Sequence, residues 1–280
     1  MTAAFRGAYG LRLGPPLEDS YLVDVPSDWP EWDLEWLPLP PDQPQGQRIG
    51  PDEVLLNVLP EGQVLIERAL NRSTLFLRED PRPEAWAHPH LSSTAVISAW
   101  WFGRRSFHAG GFIVGGGVWG VLGERGDGKS STLAWLSANG YQVVCDDILV
   151  VDGEDALAGP RCLDLRAGAA AHFHLGTYIG HVGTRERWRA ALPPVEARTP
   201  LRGWVVPAWG DEVSVEAVTL AERLPLLLSH RGLRIPEEGG PTDRNWLVLM
   251  SRPMVRFQRP QDWSAVDGAM TQLMDRLAAM

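Results

Sequence analysis

The stretch that most constrains the fold is residues 118–147, VWGVLGERGDGKSSTLAWLSANGYQVVCDD. It contains Gly123-x-x-x-x-Gly128-Lys129-Ser130, the pattern of a phosphate-binding loop between a strand and a helix. Lysine and arginine together number 26, and Lys129 is the one lysine in the chain. A compact ammonium fits between two phosphates under a tight glycine loop, where a planar, forked guanidinium does not. The apolar run Val118 to Leu122 predicts a strand entering the loop. Ser130 to Ala138 predicts a helix leaving it, stopped by Asn139-Gly140.

In a loop of this kind, successive backbone N–H groups wrap a phosphate and the helix N-terminus adds partial positive charge. The expected nucleotide-binding run is therefore Gly123, Glu124, Arg125, Gly126, Asp127, Gly128, Lys129, Ser130 and Ser131. Lys129 would bridge the β- and γ-phosphates of ATP, and the Ser130 hydroxyl would ligate Mg²⁺. A magnesium ion needs a further carboxylate, and Asp146-Asp147 follows the predicted strand Tyr141 to Cys145. Two neighbouring aspartates can divide the work, one facing an acceptor hydroxyl and the other the metal or its water. An Asp-Asp pair can also serve as a plain turn or helix cap.

Composition narrows the class. A hydrophobic fraction of 44% and a charged fraction of 22% fit a soluble globular protein. A formal net charge of -9 argues against nucleic acid or an anionic membrane as partner. Cys145 and Cys162 are too few for a disulfide framework and suggest a reducing compartment. The N-terminus has no apolar run of signal-peptide length, and no window reaches membrane-spanning length, so a cytoplasmic protein is expected.

Three regions are expected along the chain: a Pro- and Trp-rich arm over 1–50, a small α+β region over 51–104, and the catalytic domain over 105–280. In the arm, Trp29, Trp32 and Trp36 have a spacing that suits one short helical turn, with the indoles either docking the arm or forming a partner patch. Residues 54–78 predict a β-meander and Leu91 to Trp101 a helix. Phe107 to Val114 and Val118 to Leu122 predict strands joined by a tight glycine hairpin. Further strands are expected near 148–151, 204–206, 213–216 and 255–257, with helices near 220–230 and at the C-terminus.

His108, the glycine-rich hairpin, the phosphate loop and Asp146-Asp147 together resemble the HPr kinase/phosphorylase family and its shorter relatives. The intervals contribute to the resemblance: 21 residues from His108 to Lys129 and 17 from Lys129 to Asp146. It is good across about 105–152, weaker to about 190 and only topological beyond. The resemblance implies an α/β fold, a mixed sheet flanked by helices of the HPr kinase and phosphoenolpyruvate carboxykinase type. It implies that Asp146 is the general base on an acceptor serine and that Asp147 supports the metal site with Ser130. Lys129 would bind the transferred phosphate, with His108 near it. Leu163-Asp164-Leu165-Arg166 looks like a later family stretch, which places Asp164 and Arg166 near the site. Arg125 stands where the family has a small serine, and either contacts phosphate or substrate or pairs with Glu124 or Asp127.

Two other clusters carry chemistry on paper. His172, His174 and His181 lack the cysteine or carboxylate that would complete a zinc site and read more simply as surface or pocket histidines. Arg185, Arg187 and Arg189 alternate on one face of a strand, which is either a solvated edge or a surface for adenine or an acidic peptide. The function expected from all of this is an ATP- and Mg²⁺-dependent kinase acting on a serine or threonine of a protein or peptide, such as a natural-product precursor. A small-molecule kinase and a catalytically silent nucleotide-binding subunit are the alternatives. A homo-oligomer is compatible with the sequence.

Overall fold

The computed structural model describes residues 4–40, 46–58, 62–182, 185–232 and 243–280. Its centre is an eight-stranded mixed sheet, and the phosphate loop leaves one of the strands. Arg105–Val114 and Gly117–Leu122 form the expected hairpin, with Val114 opposite Gly117. Gly115 and Gly116 make the turn at φ values of 60° and 76°, the left-handed conformation a two-residue hairpin loop requires. Gly117–Leu122 runs parallel to Arg198–Trp209, which runs parallel to Met254–Arg259. Three strands therefore point their C-terminal ends toward one edge, where open α/β sheets place their ligands. Ile148–Asp152 and Asp155–Leu157 complete a circuit of pairings from Arg105–Val114 back to Arg198–Trp209.

Side chains alternate across this sheet with the period of two that a strand imposes. Trp119 and Val121 face a cluster that includes Leu133 and Leu136 of the helix Lys129–Ala138 and Leu273 and Leu277 of the helix Val266–Ala278. Val118 and Leu122 face the opposite cluster, with Leu91, Ala95 and Ile97 of the helix Leu91–Trp101 and Leu227 of the helix Leu220–Ser229. The result is a mixed sheet covered by helices on both faces, the α/β arrangement that the resemblance implied.

The N-terminal part differs from the sequence reading. Phe5–Ala8 pairs with Leu11–Arg12 and Val23–Val25 in a small antiparallel sheet. Asp33–Pro38 is a strand parallel to Arg72–Leu77, so Trp36 lies on a strand and the helical turn over the tryptophans is not formed. Spacing misled here because an i, i+3, i+7 pattern over so few residues does not distinguish a helix from separate docking contacts. The docking half of the expectation is met, since Trp29 and Trp32 are buried and the Trp32 indole donates to Ser73 Oγ at 3.0 Å. The expected meander is present as Glu53–Val58, Gly62–Glu67 and Arg72–Leu77.

A third sheet holds Cys162–Leu165, Arg185–Ala191 and Thr177–Val182. Arg185–Ala191 is its middle strand, paired on both sides, so the solvated-edge reading of its arginines is wrong. No helix among the described residues is long and apolar enough to cross a membrane.

Candidate active site

The phosphate loop is closed on itself by its own polar groups. Lys129 is 8% exposed, and its ammonium donates to the carbonyls of Gly123 at 2.5 Å and Glu124 at 3.3 Å. Burial lowers its pKa, partly opposed by the nearby Asp147 and Asp146 carboxylates. Gly126 and Gly128 take φ values of 105° and 87°, a turn that a side chain would strain. Asp127 accepts a hydrogen bond from the Glu124 backbone N–H at 2.6 Å, which pins the loop entrance. Arg125 is exposed and forms no ion pair among the described residues, so its pairing with Glu124 or Asp127 is not seen.

One cavity of about 770 Å³ gathers nearly all the residues singled out in the sequence. Its lining includes His108, Glu124, Arg125, Gly126, Gly128, Lys129, Ser130, Ser131, Asp146, Asp147, Asp164 and Arg166. Gly123 and Asp127 lie in the loop but not on the cavity wall. Arg185 and Arg187 also face the cavity, whereas Arg189 is withdrawn from it and paired with Asp164 at 2.6 Å. His172 stacks on Trp263 with ring centroids 4.7 Å apart.

The two adjacent aspartates are treated oppositely by their surroundings. Asp147 is flanked by imidazoles: His108 Nε2 donates to Oδ1 at 3.1 Å, and His88 Nε2 lies 3.6 Å from Oδ2. Burial works to raise its pKa, but the bonds from His108 and His88 prevail and hold it well below the usual carboxylate range. Asp146 receives one backbone hydrogen bond, from the Asp164 N–H to Oδ2 at 3.0 Å. Burial first, and then the negative charge of Asp147, push its pKa up to about 7. Two carboxyl groups with affinities for protons this far apart are equipped for different tasks.

His88 was not anticipated. It bridges the site, with Nδ1 donating to Asp164 Oδ2 at 3.0 Å and Nε2 facing Asp147. Burial opposes its charging, but the bonds to Asp147 and Asp164 raise its pKa to about 10. Asp164 is in turn held at about 2, against burial, by the bonds from His88 and Arg189. Asp147, His88, Asp164 and Arg189 thus form a chain of alternating sign, and His108 bonds the outer oxygen of Asp147. His88 sits in a Pro-rich connection with no periodicity, so nothing local marked it out. Trp209 and Arg259 were also missed. They end two adjacent parallel strands, and the alternation Val255, Phe257, Arg259 puts Arg259 on the phosphate-helix side of the sheet.

No family model matches this sequence, and no curated protein matches it. Among solved structures, the chain is similar to the HPr(Ser) kinase/phosphatase from Coxiella burnetii, at 16% identity and a TM-score of 0.29. That similarity covers 62% of this chain and 97% of the other. The likeness is distant, and the functional reading rests on the residues of the cavity.

Proposed function

We propose that the protein is a kinase that transfers the γ-phosphoryl group of ATP, with Mg²⁺, to a serine or threonine hydroxyl of a protein or peptide. The observation that carries this reading is the unequal aspartate pair in one cavity with the phosphate loop. A general base works best with a pKa near the operating pH, and Asp146 meets that condition while Asp147 stays ionised.

The geometry of the cavity supports the following roles. The loop amides and Lys129 hold the polyphosphate, and Lys129 exchanges its two carbonyl partners for phosphate oxygens. Asp146 takes the proton from the acceptor hydroxyl as its oxygen bonds to the γ-phosphorus, while the bond from that phosphorus to the β,γ-bridging oxygen breaks and ADP leaves. Asp147 and the Ser130 hydroxyl would hold Mg²⁺; a carboxylate has about four acceptor sites, so two imidazoles orient Asp147 without exhausting it. Magnesium is commonly bound by one or two carboxylates together with phosphate oxygens and water, which this donor set suits. When bound, the ion neutralises charge on the phosphates. Asp164 and His88 position the aspartate pair, and Arg166, Arg185 and Arg187 add positive charge to the cavity wall.

The test is transfer from labelled ATP to a peptide pool, read by mass spectrometry, with Asp146→Asn beside the parent chain. The parent should add phosphate to serine or threonine. The variant should lose about 10²- to 10⁴-fold in rate while still binding nucleotide. Wild-type rate in the variant would remove Asp146 as the base. Phosphate on a free sugar or amino acid, and on no peptide, would move the acceptor to a small molecule.

A further inference from the structure

Arg259 is the least satisfied charged group in the site. It is 3% exposed, and its buried Nε and Nη2 atoms have no hydrogen-bond partner among the described residues. Burial lowers its pKa to about 10, which leaves it a cation at neutral pH. A buried guanidinium without an acceptor is unfavourable in itself and is normally paired. Its surroundings hold it in one place. The guanidinium carbon lies 4.4 Å from the centroid of the Trp209 ring, a cation–π contact that fixes the plane without occupying the N–H groups. The Trp209 indole N–H in turn donates to the Gly126 carbonyl at 2.9 Å, which ties this stack to the phosphate loop. Trp209 and Arg259 are register partners at the ends of their parallel strands, so the sheet itself sets their relative position.

The loop leaves room for the guanidinium. A Cβ on Gly128 would lie 2.8 Å from Arg259 Nη2 and 3.0 Å from the Trp209 ring. Gly128 therefore both adopts a positive φ and lets the arginine approach the first turn of the helix. Arg259, Trp209, Gly128 and Lys129 all line the same cavity.

We infer that Arg259 is a second cationic contact for the polyphosphate of the bound nucleotide, carried on Trp209 and acting beside Lys129. The unfilled N–H groups supply charge-assisted, directional bonds that an ammonium does not. This rests on the nucleotide reading above, and names a residue of that site outside the phosphate-loop motif.

The test measures binding of ATP and of inorganic tripolyphosphate by titration calorimetry to the full chain, to Arg259→Gln and to Arg259→Met. Thermal unfolding of each is followed with and without ligand. Both variants should bind both ligands about 10- to 100-fold more weakly, the loss expected for a hydrogen bond to a charged group. The free Arg259→Met protein should melt at or above the parent temperature, because an unpaired buried charge has been removed. Affinity for tripolyphosphate unchanged in both variants would overturn the assignment, as would loss of ATP affinity alone. A variant that melts lower yet binds as the parent does would make Arg259 a structural residue. A parent chain that binds neither ligand would remove the nucleotide reading itself, a result distinct from unchanged affinity in the variants.

Discussion

At the scale of single residues, the site works by difference. Asp146 and Asp147 are adjacent in sequence, yet among the described residues only Asp147 is gripped by two imidazoles. With Asp146 held at about 7, the base is mostly protonated below that pH. The transfer rate should therefore fall about tenfold for each pH unit below about 7 and level off above it. A flat profile between pH 5 and 8, with chemistry shown to be rate-limiting, would remove this role. His88 extends the prediction. Its positive charge lowers the pKa of Asp146, opposing burial and Asp147. His88→Gln keeps a hydrogen-bond donor but loses that charge, so the acid limb of the profile should move to higher pH. Movement to lower pH, or none, would show that His88 does not tune the base.

At the scale of elements, the parallel pair Gly117–Leu122 and Arg198–Trp209 depends on a reciprocal fit. Gly120 is the register partner of Trp204, and Trp119 of Gly203. A Cβ on Gly120 would lie 2.6 Å from the Trp204 ring, and one on Gly203 would lie 2.4 Å from the Trp119 ring. Each indole covers the partner strand's glycine. Gly120→Ala should lower stability in urea unfolding by about 1–3 kcal/mol, the range for overpacking a tight core. Shortening the covering ring, in Gly120→Ala with Trp204→Leu, should show coupling between the two sites. Strict additivity would place the cost elsewhere. Gly120 and Gly203 look in the sequence like weak strand residues, and their purpose exists only once the partner is known.

The same distinction explains what was legible. The hairpin, the phosphate helix and the aspartate pair are local: strand patterns, glycine loops and a carboxylate pair within 105–147 suffice to place them. His88, Trp209 and Arg259 reach the cavity from distant positions, by pairings no local pattern records. Arg189 illustrates the limit from the other side. Its alternation with Arg185 and Arg187 was readable, but its withdrawal into a pair with Asp164 depended on a neighbouring strand.

At the scale of the whole molecule, the question is whether the N-terminal arm is an appendage or part of the core. Proline content marks residues 1–50 as an irregular arm, because proline breaks regular elements, with its indoles expected either to dock it or to form a partner patch. Yet Tyr9, Leu11, Leu22, Trp29 and Trp32 share one apolar cluster with Val144, Leu149 and Trp204 of the central sheet. The backbones are joined as well: Tyr9 N–H donates to Ala158 at 2.7 Å, and Arg161 N–H donates to Tyr21 at 2.9 Å. Arg104 Nη1 reaches the Gly10 carbonyl at 3.0 Å. The Tyr9 ring also covers Gly159, where a Cβ would lie 2.9 Å from Cε1. These contacts surround residues 157–162, which lead directly into the strand Cys162–Leu165 that carries Asp164. Deleting residues 1–31 would expose that side of the core and leave the Ala158 carbonyl, the Arg161 N–H and Arg104 Nη1 without these partners. The truncated chain should show no cooperative thermal transition and should not bind ATP. An appendage would behave differently: its loss would leave a cooperative transition within a few degrees of the full chain, and ATP binding intact.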